Sequence, residues 1–127
     1  MDRRNETAWI YKGNILSGLT NQDGSPNFRS ISDALNCYNT ALNINPDNEE
    51  VYYYGANTVE SLGQLEDAYK FCSAGLKRCR NSDMLWAKQG VILFKLGRLD
   101  EATECFRTAL SINPDNFEAK RYIEQMR

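Results

Sequence analysis

The chain has 127 residues, a formal charge of −2, and 42% hydrophobic against 25% charged residues, so it encodes one ordinary soluble domain or a short array. The slight acidic balance argues against a general nucleic-acid or acidic-membrane binder, which carries a basic excess. There is no histidine, which removes the commonest general base and metal ligand and every catalytic triad built on imidazole.

The chain opens on MDRRNETAWIYKGNIL, basic but without the continuous apolar stretch of a secretory signal. No apolar run is long enough to span a bilayer. A helix is expected from about Glu6 to Leu19, with no dedicated cap before it, which favours an edge-exposed piece of an array. Asp23-Gly24 and Ser25-Pro26 are turn formers, and residues 20–28 read as an exposed loop. Ala34, Tyr38 and Ala41 then mark a second helix, stopped at Asn45-Pro46-Asp47. Tyr52 and Ala56 lie on a third, Leu62-Gly63 ends it, and Ala68, Cys72 and Gly75 follow on a fourth. Trp86, Gly90, Leu93 and Leu96 recur every three or four residues, as one helix face requires. Gly97 terminates that helix, and Asp100 and Glu101 suit the first turn of the next, which carries Ala102, Phe106 and Ala109. After Pro114, residues Phe117, Tyr122 and Met126 keep helical spacing among charges. Cys37, Cys72, Cys79 and Cys105 all fall in helical segments without C-x-x-C spacing. They are expected as reduced fillers in a cytoplasmic protein, with no metal or cofactor site.

The chain repeats itself. Thr40 to Asn48 recurs as Thr108 to Asn116 with eight of nine positions identical, at an offset of 68. Leu62 to Ala68 matches Leu96 to Ala102 at an offset of 34, half of that. Periods of this length signal stacked supersecondary units.

The 34-residue pattern resembles the tetratricopeptide repeat, W-x2-L-G-x2-Y…A-x3-F…P. The third unit carries Trp86, Gly90, Ala102, Phe106, Ala109 and Pro114 in that register. The second has Tyr52, Ala56, Ala68, Cys72 and Gly75, with Arg80 for the proline; the first has Trp9, Gly13, Ala34, Tyr38, Ala41 and Pro46. The resemblance implies an all-α fold, a right-handed superhelix of stacked antiparallel helix pairs. It divides the chain into a first repeat over 1–46, a second over 47–80, a third over 81–114 and a capping helix over 115–127. The nine small residues Gly13, Ala34, Ala41, Ala56, Ala68, Gly75, Gly90, Ala102 and Ala109 are expected where helix axes approach to about 8–10 Å. Trp9 to Ala34 is 25 residues against 16 from Trp86 to Ala102, so the first unit carries nine extra residues, Thr20 to Phe28 by alignment. Lengthening a surface loop costs little, and loops also carry function; under the second reading Phe28, or the loop as a whole, contacts a partner.

In proteins of this kind the first helices of successive units line a concave groove that binds partner peptides. By register the resemblance places Tyr11 and Asn14 there from unit one. Tyr53, Tyr54, Asn57 and Glu60 come from unit two, and Lys88, Val91, Phe94 and Lys95 from unit three. Arg121, Tyr122 and Gln125 come from the end helix. Asparagines can pair with a peptide backbone, tyrosines give broad amphipathic surface, and Lys88 and Arg121 suit an acidic group. For Tyr53 and Tyr54 partial packing is the rival reading, and for Lys88 and Lys95 a solvated face. Some family members clamp the acidic C-terminus of heat-shock chaperones with lysine, asparagine, asparagine, lysine and arginine. The corresponding positions here are Ile10, Asn14, Tyr54, Met84 and Lys88. Only Asn14 matches, so no chaperone-tail clamp is expected.

The function implied is a non-enzymatic module that binds a peptide or helix of a partner protein. The alternative is a self-associating scaffold segment of a longer array. No phosphate loop, nucleophile–base pair or ligand cluster supports an enzyme, and no nucleic-acid or membrane partner is expected.

Overall fold

The computed structural model describes residues 3–126. Seven helices follow one another: α1 (Arg3–Ser17), α2 (Phe28–Ile44), α3 (Glu49–Ser61), α4 (Leu65–Arg78), α5 (Asp83–Lys95), α6 (Leu99–Ile112) and α7 (Phe117–Gln125). Among the described residues the only extended pairing is an isolated bridge, Thr20 with Pro26, which closes the loop between α1 and α2. Phe28 falls just past that loop, as the exposed first residue of α2.

The helix boundaries follow from cap chemistry. Asn27, Asn48, Ser82 and Asn116 each accept a backbone N–H from the first turn of α2, α3, α5 and α7. Gly63 and Gly97 take φ of +78° and +80° after α3 and α5. That left-handed step lets Gln64 N–H donate to the Val59 carbonyl and Arg98 N–H to the Leu93 carbonyl, closing both helices in the same way. A tight turn then returns the chain as the antiparallel second helix of the pair.

Each first helix packs on its own second helix and on the next pair, and α1 touches α3, α3 touches α5, and α5 touches α7. Among the described residues no Cα atom of α2, α4 or α6 comes within 8 Å of another of these three helices. The odd-numbered helices therefore form a closed inner row and the even-numbered ones a splayed outer row, the geometry of an all-α tetratricopeptide solenoid. All nine small residues named above are buried. At Gly13 and Gly90 the side chains that need the space are rings. A Cβ on Gly13 would lie 2.6 Å from the Tyr38 ring, and one on Gly90 2.6 Å from Phe106.

A polar device fixes the ends of two pairs. Glu6, buried in α1, accepts from the side-chain amides of Asn45 and Asn48. Asp83 accepts from Asn113 at 3.0 Å and Asn116 at 2.8 Å. The amides belong to the repeated Asn-Pro-Asp-Asn stretch. In each case they tie the turn after a second helix to the start of the first helix of that pair.

The core holds three buried thiols. Burial pushes Cys72 up to about 12 and Cys105 up to about 11, from an ordinary 9.0. Both stay protonated in the fold while the unfolded chain ionises near pH 9. A group with a raised folded pKa loses its stabilising contribution as pH climbs from the unfolded to the folded value. Stability under reducing conditions is therefore expected to be full below pH 9 and to fall from 9 towards 12. Urea midpoints measured across that window should decline less steeply for a Cys72→Ala, Cys105→Ala chain than for the parent.

Candidate concave binding surface

The inner row places the expected groove residues as follows. Tyr11 is 65% exposed and lines a cleft of about 470 Å³ with Glu6, Ile10, Asn14, Glu50 and Tyr54, between α1 and α3. The Asn14 side-chain Oδ1 accepts the Tyr38 hydroxyl at 2.7 Å, so this amide is partly committed to the core. Tyr54 is half-buried, stacks on Tyr38 at 6.1 Å, and meets Tyr53 edge-on at 6.4 Å. Asn57, on the same helix, is exposed. Phe94 and Tyr122 pack edge to face at 5.2 Å across α5 and α7. Arg121 and Gln125 are exposed on α7.

Two residues sit differently from their groove assignment. Val91 is 3% exposed, inside the cluster that joins α5, α6 and α7, and cannot reach a ligand. Lys88 is neither a free cation nor a solvated one. Its Nζ lies 2.9 Å from Glu60 Oε1 and 3.3 Å from Asn57 Oδ1, and 5.0 Å from the centre of the Tyr53 ring. The Lys88 and Glu60 side chains are 6% and 7% exposed. Burial pulls the Lys88 ammonium down, but the Glu60 hydrogen bond and charge outweigh it and hold the group above an ordinary lysine. Lys95 adds a second cation 3.2 Å from Glu60 Oε2, an ion pair without hydrogen-bond alignment. Burial raises the Tyr53 hydroxyl despite the opposing Lys88 charge. The middle of the wall is thus a sealed ionic cluster roofed by an aromatic ring, and the exposed polar groups lie beside it.

Sequence reasoning missed this cluster because register alone cannot pair Glu60 with Lys88 across two helices. It also missed Gly55, whose missing side chain lets the Phe71 ring lie against α3, 2.6 Å from where a Cβ would be. The Gly55-Ala56 pair in EEVYYYGAN offered a signal, but only Ala56 fits the repeat register. The Asn-Pro-Asp-Asn duplication was visible, and the acids it grips were not.

Among the described residues no group of histidine, cysteine, aspartate and glutamate could hold a metal ion, and no helix is long and apolar enough to cross a membrane. A family model for the tetratricopeptide repeat matches residues 84–116, and a second model for the same repeat matches 30–63. The chain belongs to the tetratricopeptide repeat family. This repeat chain is 34% identical over 64 residues to human N-alpha-acetyltransferase 16, NatA auxiliary subunit. That match covers 50% of the chain and 7% of the relative. It is 28% identical over 96 residues to human DnaJ homolog subfamily C member 3, covering 76% and 19%. The chain therefore spans less than a fifth of the length of these relatives. Among solved structures it superposes on the first repeat domain of human RPAP3 with a TM-score of 0.80 at 20% identity, covering 98% and 91%. The first repeat domain of Spaghetti (RPAP3), solved bound to the HSP90 peptide SRMEEVD, gives a TM-score of 0.77 at 21% identity, covering 98% and 92%. At that identity the likeness is one of fold.

Proposed function

We propose that the concave wall is a non-enzymatic docking surface for a peptide or helix of a partner protein. The reading rests most on Tyr11 and Tyr54, which share one open cleft while Asn57 and Arg121 stand exposed further along the same inner row. Exposed tyrosine beside amide groups offers amphipathic contact and backbone hydrogen bonding in one strip. The repeat domains it superposes on include one solved with a bound peptide, which agrees with this use of the fold. The four cysteines are free thiols, which suits a reducing compartment such as the cytoplasm.

The ligand is not an acidic chaperone tail. The clamp register offers Ile10, Tyr54 and Met84 where cations and an amide are required. The one remaining cation, Lys88, is already neutralised by Glu60, and leaving that partner for a ligand carboxylate would strand a buried charge. Calorimetric titration with SRMEEVD should show no micromolar binding; micromolar affinity overturns this part. Peptides selected on the intact chain by display should lose binding together with Tyr11→Ala and Arg121→Ala, exposed changes outside the Lys88–Glu60–Asn57 cluster. Retained affinity in that double variant removes the groove from the account.

A further inference from the structure

The concave wall contains a cation receptor that the chain fills itself. Between α3 and α5 the Lys88 ammonium meets a carboxylate, an amide oxygen and a ring: Glu60 Oε1 at 2.9 Å, Asn57 Oδ1 at 3.3 Å and the Tyr53 ring at 5.0 Å. The cleft one step earlier, between α1 and α3, offers the same three kinds of group. Glu6 and Glu50 supply carboxylates, Asn14 an amide oxygen, and Tyr11 and Tyr54 rings. Glu50 and Tyr54 are four residues apart, so they share one face of α3.

The earlier cleft has no cation of its own among its lining residues. Tyr54 holds the register position that Lys88 holds 34 residues later, so a phenol stands between α1 and α3 where a lysine stands between α3 and α5. Among the described residues no ion pair involves Glu6 or Glu50. Glu6 is 6% exposed. Asn45 and Asn48 both donate to its Oε1, and no described group donates to Oε2. Two carboxylates in a partly enclosed cleft create a negative field that holds a cation more strongly than open water would.

We propose that this cleft takes a basic side chain, lysine or arginine, of the peptide bound on the wall. The proposal rests on the concave-wall reading and fixes the charge of the ligand at one end of it. The cationic head lies between Glu50 and Glu6, and its apolar stem runs along Ile10 and the Tyr11 and Tyr54 rings, whose faces favour a cation. The Asn14 oxygen, which already accepts from Tyr38, has a second lone pair to offer. The preference is the reverse of an acidic-tail clamp.

The test selects peptides by display on the intact chain and maps them by the shift of the Tyr54 amide signal. Those that move Tyr54 should share one lysine or arginine. Replacing that residue with norleucine should weaken binding about tenfold, the loss of one charge-assisted contact. Glu50→Gln should weaken the parent peptide by a similar factor and the norleucine peptide little, so that the two losses are not additive. Glu104→Gln, exposed on the outer helix α6, should leave affinity unchanged. Peptides that move Tyr54 without a shared basic residue, or losses that are fully additive, overturn the proposal and leave the wall reading standing. A library that yields no peptide moving Tyr54 overturns both. Glu50→Gln that destabilises the free chain as much as Glu60→Gln also overturns the proposal, because the cation in the cleft is then the chain's own.

Discussion

Gly90→Leu is expected to cost about 3 kcal/mol or more, at the upper end of what overpacking exacts, and to abolish the native third pair. The ring it strikes has nowhere to go: Phe106 is wholly buried, and a first carbon at residue 90 already lies 2.6, 2.8 and 2.9 Å from three of its atoms. Alanine substitutions separate the two forces at work. Replacing an interior helix glycine by alanine gains about 1 kcal/mol of helix propensity, while overpacking a closed core costs about 1–3 kcal/mol. For Gly90→Ala the second term wins, and a net loss is expected. For Gly55→Ala the obstructing ring is Phe71, which is only half-buried and edges an open groove between α2 and α4. That ring can swing outward, so the propensity gain survives and stability should hold or rise slightly. Urea midpoints for the three variants, read by circular dichroism, check the order Gly90→Leu below Gly90→Ala below Gly55→Ala.

The second large effect is electrostatic. Glu60→Ala should destabilise the chain by about 3–5 kcal/mol, the loss typical when one partner of a buried pair is removed. It leaves the Lys88 ammonium with the Asn57 oxygen and the Tyr53 ring alone. Replacing both partners with apolar residues of similar size, Glu60→Leu with Lys88→Met, should recover most of that loss, because desolvation no longer has to be offset. Lys95→Ala should cost little, since that side chain is about half exposed and screened. A double-mutant cycle by chemical unfolding reads the coupling directly. An additive result, with the double variant as unstable as the sum of the singles, removes the sealed cluster from the account. The same result bears on function, because a ligand cannot recruit Lys88 without breaking this pair.

The fold was readable from sequence because its determinants are periodic. Glycine or alanine at fixed offsets, glycine after a first helix, and Asn-Pro after a second each carry a local steric meaning that survives without knowledge of neighbours. Gly63 and Gly97 adopt the left-handed conformation expected of helix terminators, and the small residues are buried as the register requires. The wall was less readable because register gives direction but not partners. Tyr11 and Asn57 lie open, and their neighbours in register, Val91 and Lys88, do not. What decides between them is whether α7 and Glu60 reach the same point in space. Gly55 shows the limit most clearly. It breaks the repeat by one residue, and only the position of Phe71 explains why.

The most direct measurement is chemical-shift mapping of a display-selected partner peptide on the isotopically labelled intact chain. Perturbations are expected at Tyr11, Tyr54, Asn57 and Arg121 along the inner row, with Val91 and the outer faces of α2, α4 and α6 unmoved. Perturbations confined to the outer helices, with the inner row silent, would contradict it.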